Sequence, residues 1–338
     1  TTGHPKGVLL SHKNLLVDAG YIVEAHQLTA GDRALCVLPL YHINGLVVTA
    51  LAPLYSGGSV VIAQRFSASA FWELLARWRC SWFSVVPTIV SILLNTPADT
   101  DRLDLSHLRF GRSASAPLPV ALHRSFEERF GCPLIETLGI TEAASTVFSN
   151  SLPPHRRKYG SVGLPIGSIE ATVIDDHGAE LAPYQVGEIA VKGESVMLGY
   201  FRNAEETART VVDGWLRTGD LGYRDEEGFF FITDRKKEVI IRGGVNISPR
   251  EVDEVLYTHR AVLDAATVGV PHPIYGEEVK AFVVLKDGVS CPTEALITFC
   301  RQHLADFKCP KEVEFVLEIP KGPSGKVQRR KLLENLRP

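Results

Sequence analysis

A chain of 338 residues, 45% hydrophobic and 22% charged, has the makeup of a globular protein but is too long for one ordinary core, so two or three domains are expected. Its formal net charge of −3 gives no reason to expect a nucleic-acid partner, and Arg156-Arg157-Lys158 is too short to act as a polybasic tail. No apolar run reaches the roughly 20 residues that span a bilayer, which excludes a transmembrane helix.

In chain order, Ser11 is placed to cap a helix from His12, with Leu15, Ala19, Ile22, Val23 and His26 on one face. Strands are expected at 34–38, 59–63, 82–86, 108–113 and 134–138, and helices at 47–54, 67–79, 88–94 and 120–130. Strand–helix alternation of this kind argues for a helix-covered, mostly parallel sheet, an α/β layer over 1–153. After Pro154 the texture changes to short strands and frequent turns, as in a small β-barrel-like subdomain over 154–233. Beyond a boundary at 234–237, residues 238–338 read as a smaller α+β domain. It has a helix entered through Ser248-Pro249, strands at 262–270 and 280–285, a helix at 292–304 and a strand at 312–318. The cysteines, at 36, 80, 132, 291, 300 and 309, form no C-x-x-C pair and no Cys/His cluster. They read as reduced thiols of a cytoplasmic protein.

The opening, Thr1-Thr2-Gly3-His4-Pro5-Lys6-Gly7, combines hydroxyls, glycines and a lysine, which suits a phosphate cradle or an ordinary turn. It lacks the spacing of a Walker A loop. Thr141-Glu142 follows a strand end and reads alone as a helix N-terminus. Thr218-Gly219-Asp220 reads alone as a turn, Arg235-Lys236-Lys237 as a solvated linker, and Lys326 as a surface lysine on a glycine loop.

Taken together and in this order, Thr-Thr-Gly-x-Pro-Lys-Gly, Thr141-Glu142, the run 214–220, Asp234-Arg235-Lys236-Lys237 and Gly325-Lys326 resemble the adenylate-forming superfamily. That superfamily contains acyl-CoA synthetases, peptide-synthetase adenylation domains and luciferases. Stretches 113–118, 242–255 and 307–315 resemble most the acyl-activating enzymes that include oxalate–CoA ligases, although those that take oxalate carry a histidine where this chain has Ser145. The family's phosphate loop normally follows a large N-terminal portion. The chain, which has no initiator Met and a single Met at 197, is therefore expected to be a fragment.

The resemblance implies ATP, Mg²⁺ and CoA as ligands and a carboxylic acid as substrate. Thr1, Thr2, Gly3 and Lys6 would hold the β- and γ-phosphates of ATP. Thr141 would contact the α-phosphate and Glu142 would bind the metal, a task suited to one hard carboxylate plus phosphates. Ser115 and Ala116 would line the adenine and acyl pockets. Leu138, where relatives carry an aromatic residue, would pack on the base beside Gly139. Asp220 would accept from both ribose hydroxyls, Arg235 would lie near the ribose, and Lys237 would be the hinge of a mobile C-terminal domain. Lys326 would bridge the attacking carboxylate and the α-phosphate. Gly243 and Gly244 would let a pantetheine arm approach the backbone. His42 falls where relatives place acyl-pocket residues, or is a satisfied core histidine. The expectation is an acid–CoA ligase. An enzyme loading the phosphopantetheine of an acyl carrier protein and a non-catalytic nucleotide-binding fragment are the alternatives.

Overall fold

A computed structural model of the chain describes residues 6–153, 156–322 and 327–334. Its first helix shows how local chemistry sets an element boundary. The Ser11 hydroxyl accepts from the Asn14 N–H at 3.1 Å, and the Asn14 side chain takes the Ser11 N–H at 2.8 Å, so the helix His12–Ala25 starts with a reciprocal cap. Ala19 and Ile22 on its inner face are fully buried.

The central sheet has seven strands, in the order Ser59–Ile62, Arg33–Cys36, Trp82–Val85, Phe110–Ser113, Leu134–Gly139, Thr146–Ser149 and Leu164–Pro165. The first five pair in parallel and the last two antiparallel. Strand side chains alternate between faces, and both faces here are apolar. Ala34, Trp82, Phe110 and Ile135 join the core under the helix His12–Ala25. Leu35, Phe83 and Leu134 join a second core under the helices Phe71–Trp78, Pro87–Asn95 and Val120–Phe130. Burial on both faces is what a parallel sheet requires. The expected helix at 47–54 starts earlier, as a π-helical stretch Asn44–Leu51 that continues into Ala52–Tyr55.

The short strands after 160 form a five-stranded sheet of Glu170–Ile174, Gly187–Lys192, Val211–Val212, Trp215–Arg224 and Phe230–Arg235. Thr218-Gly219-Asp220, a turn by composition, lies inside the ten-residue strand Trp215–Arg224. The backbone accommodates this because Gly219 takes a left-handed φ of 73°.

The chain divides into two compact units. One comprises Pro5–Thr218 with Gly222–Ile232, and the other is built on Thr233–Pro338 with Gly219–Leu221. The second unit has its own five-stranded sheet, in which Gly276–Leu285 pairs antiparallel with Val262–His272 and Ile240–Arg242 and in parallel with Glu312–Phe315. Its core is Ile247, Val252, Leu256, Val279, Ala281, Val283 and Leu296 with their neighbours. One partly buried cation ties its segments together. Arg329 donates to Glu238 at 2.9 Å, to Asp253 at 2.5 Å and to the Thr267 carbonyl at 3.0 Å. Burial pushes the Asp253 carboxyl up to about 7, while the Arg329 charge opposes that rise.

Candidate functional site

The strand Val8–Leu9 pairs antiparallel with Gly199–Tyr200 and so carries Lys6 across to Tyr200. The Lys6 ammonium lies 4.3 Å from the Tyr200 ring centroid and 2.7 Å from a Glu206 carboxylate oxygen. Burial works against the Lys6 charge, but the Glu206 and Tyr200 side chains hold its pKa above the ordinary lysine value. On the other side, the Tyr200 hydroxyl donates to Glu142 Oε1 at 2.9 Å. Burial, reinforced by the Glu142 charge, pushes the Tyr200 phenol up to about 12, so it stays a donor at neutral pH. Glu142 is anchored by its backbone too, its carbonyl accepting from the Met197 N–H at 2.8 Å. Lys6 and Glu142 are thus held by one residue, Tyr200, which the sequence reading did not single out. Nothing local marks it, because its contacts come from strand pairing across the chain.

Thr141 opens a 3₁₀ turn, Thr141–Ala143, directly beyond the strand Leu134–Gly139, and its side chain is exposed. A Cβ on Gly139 would stand 2.3 Å from the Ser145 carbonyl oxygen, so only glycine fits where this turn folds back. Leu138 is half-buried and packs against the larger core. Among the described residues, no three His, Cys, Asp or Glu side chains gather as a metal cage. Glu142 Oε2 has no hydrogen-bond partner among the described residues. One such carboxylate oxygen together with phosphate oxygens matches the ligand set Mg²⁺ prefers.

Ser115 and Ala116 follow the end of the strand Phe110–Ser113, at the carboxyl edge where open parallel sheets place ligands. Ser115 adopts φ 72°, strained for a residue with a Cβ. Its hydroxyl accepts from the Asn44 side-chain amide at 3.2 Å. Asn44 in turn meets Ser84 and Arg112 in the sheet. His42 accepts the Asn44 backbone N–H at 3.2 Å, at the entry to the π-helical stretch. Asn44, two residues on, is the side chain that meets Ser115.

In the second unit, Arg235 donates to Asp220 at 2.6 Å, so these two candidate ribose residues form one ion pair, its carboxylate 3% exposed. The Lys236 N–H bonds the Gly219 carbonyl at 3.0 Å, and Lys237 stands exposed in the turn that follows. Gly243 and Gly244, at φ 57° and 83°, form the tip of a hairpin between Ile240–Arg242 and Val245–Ile247. Two left-handed residues in a two-residue turn is the geometry that favours Gly-Gly. Thr1, Thr2, Gly3 and Lys326 lie outside the described residues.

The AMP-binding enzyme profile matches residues 1–201, and the AMP-binding enzyme C-terminal domain profile matches residues 251–326. A sulfoacetate–CoA ligase of Cupriavidus necator is 53% identical over 99% of this chain and 65% of its own length. An oxalate–CoA ligase of Saccharomyces cerevisiae is 41% identical over 99% of this chain and 61% of its own length. The crystal structure of ATP-bound MatB from Rhodopseudomonas palustris superposes with a TM-score of 0.92 at 34% identity, covering 99% of this chain and 66% of that one. The chain therefore spans somewhat under two thirds of the length of these relatives. No helix among the described residues is long and apolar enough to cross a membrane.

Proposed function

The chain belongs to the AMP-binding enzyme family, and on that premise we propose that it acts as an ATP-dependent carboxylic acid–CoA ligase. The observation that carries this reading is the cluster of Lys6, Tyr200 and Glu142, a cation and a carboxylate that share Tyr200 as a common partner. Such a pair suits a metal-complexed triphosphate: Lys6 would exchange Glu206 for phosphate oxygens, and Glu142 would hold Mg²⁺. The metal supplies charge neutralisation on the phosphates.

In the proposed first half-reaction, a carboxylate oxygen of the acid attacks the α-phosphorus, the bond to the β-phosphate oxygen breaks, and pyrophosphate leaves. Thr141 donates its hydroxyl to the α-phosphate, and Lys326 stabilises the charge that builds between the two anions. Leu138 packs on the base beside Gly139, and Ser115 and Ala116 line the acid and adenine sites. Asp220 and Arg235 hold the ribose. In the second half-reaction the C-terminal domain, 238–338, turns about Lys237, and the CoA thiol attacks the acyl-adenylate carbonyl, releasing AMP. Gly243 and Gly244 line the path of the pantetheine arm. Three parts of this scheme, the phosphate cradle, the ribose pair and the glycine hairpin, come from separate stretches of sequence. The names of two relatives, the sulfoacetate and oxalate ligases, favour a small acid with a second anionic group, and the unpaired cysteines suit a cytoplasmic setting.

The test is AMP release by the full-length protein across a panel of carboxylic acids including sulfoacetate, oxalate and malonate, with free CoA and separately with a carrier domain as acceptor. Release dependent on an acid and CoA supports the ligase. Release with a carrier domain alone moves the acceptor to a carrier protein, and none with any acid overturns the reading.

Tyr200→Phe keeps the ring beneath Lys6 and deletes the hydroxyl that orients Glu142. Losing a hydrogen bond to a charged group costs about 1.5–3 kcal/mol, so the Mg²⁺–ATP requirement should rise by about tenfold or more. Pyrophosphate exchange titrated with Mg²⁺ measures it. An unchanged Mg²⁺ dependence would remove Tyr200 from the metal site.

A further inference from the structure

Arg112 is an arginine buried in the middle of a sheet, and every polar hydrogen it carries is a donor. Nη1 donates to Asn44 Oδ1 at 2.9 Å and to Ser84 Oγ at 3.0 Å, while Nη2 donates to Thr146 Oγ1 at 2.9 Å. Ser84 sits beside Arg112 in register on the neighbouring strand. Having accepted from Arg112, its hydroxyl passes its own hydrogen to Asn44 Oδ1 at 2.9 Å. Two donors converging on one atom identify that atom as the carbonyl oxygen of the amide. The opposite end, Nδ2, is the one 3.2 Å from Ser115, and it can only donate. Ser115 Oγ is thereby an acceptor in this contact, and its own hydrogen must point elsewhere.

Where it points follows from burial. Ser84, Arg112 and Asn44 are 0%, 1% and 3% exposed, whereas Ser115 is partly open. Ser115 is the outer end of a line of donors that starts at a buried cation, and successive donors polarise one another. Among the described residues no carboxylate lies within ion-pair distance of the guanidinium. Asp18, the acidic group that acts on it, is held toward its neutral form by burial.

We infer that Asn44 is a positioning residue that fixes the Ser115 hydroxyl as an outward hydrogen-bond donor, with Arg112 and Ser84 locking the amide, so that the site receives an oxygen anion of the acid there. This rests on the reading of Ser115 as part of the acid site. The donor line favours acids whose oxygen atoms reach Ser115 over those that present only alkyl surface.

Asn44→Asp isolates the claim. Aspartate keeps the shape, accepts from Ser84 and pairs with Arg112, so the melting temperature should hold or rise. Toward Ser115, however, it offers only an acceptor, and the hydroxyl must turn inward. In pyrophosphate exchange with the full-length protein, the KM for the acid should rise at least tenfold while the KM for ATP stays within twofold. In a Ser115→Ala background the same change should move the acid KM less than twofold, which separates hydroxyl direction from added charge. Asn44→Leu should harm stability more than Asn44→Asp yet raise the acid KM less, the reverse of what a purely structural asparagine predicts. An unchanged acid KM in Asn44→Asp, or an equal rise with Ser115 absent, overturns the inference. If no acid supports exchange, calorimetric titration of the AMP-saturated protein with malonate and with propionate decides. Malonate binding lost in Asn44→Asp keeps the donor line while the ligase reading fails, and no binding to the unaltered protein overturns both.

Discussion

Lys326→Ala in the full-length protein will slow acyl-adenylate formation by roughly 10²–10³, the usual effect of deleting a preorganised charge that acts in the transition state. Thioester formation from a supplied acyl-adenylate will persist. The two steps differ in what they ask of a cation. In the first, a carboxylate approaches a phosphate and negative charge accumulates between them. In the second, a thiol attacks a carbonyl already activated by its bond to AMP. In sequence, Lys326 stands three residues before the partly buried Arg329. Both half-reactions measured on one folded sample check the prediction. Loss of both together, or survival of the first, would falsify the assignment.

Asp220→Ala will weaken ATP binding by about 3 kcal/mol, the order expected for two charge-assisted hydrogen bonds to the ribose hydroxyls, and will leave binding of the acid nearly unchanged. Asp220 is buried against Arg235, so the substitution also frees that guanidinium. Because Arg235 is 41% exposed, water takes up much of the lost partner, and the stability change should be small beside the loss of nucleotide affinity. Calorimetry with ATP and with the acid, run beside a melting curve, distinguishes the effects. Equal ATP affinity in the variant would mean the ribose binds elsewhere.

Elements fixed by neighbours in sequence were legible before the structure. Ser11 and Asn14 lie within one turn, and the helix they cap begins at His12 as the sequence suggests. The helix Val120–Phe130 ends at Gly131, whose φ of 60° is a conformation glycine reaches without strain. The apolar strand runs were legible for the same reason, since both faces of each strand carry the signal locally. Gly219 misled because a left-handed glycine serves a turn and a kinked strand equally well, and only pairing with distant strands separates them. Thr146–Ser149 was missed because hydroxyl residues at both ends leave an apolar run of only two, and its strand exists by pairing with Leu134–Gly139. In the site, Lys6 and Glu142 carried a motif, but Tyr200, Asn44 and Arg112 did not. A tyrosine, an asparagine and an arginine in apolar surroundings are ordinary in sequence. What sets these apart is the company they keep across separations of 58 to 71 residues.

The Arg329 junction also says something about how the second unit is made. On a ribosome, Glu238, Asp253 and Thr267 are synthesised first, and their common cation arrives 62 residues after Thr267 and 91 after Glu238. Until then the nascent chain must bring carboxylates into an interior that lacks the charge that neutralises them, which low-dielectric surroundings penalise. The sheet Val262–His272/Gly276–Leu285 can pair early, from a tight local connection. Closure around Asp253, which is buried, is therefore expected to wait until Arg329 has been synthesised.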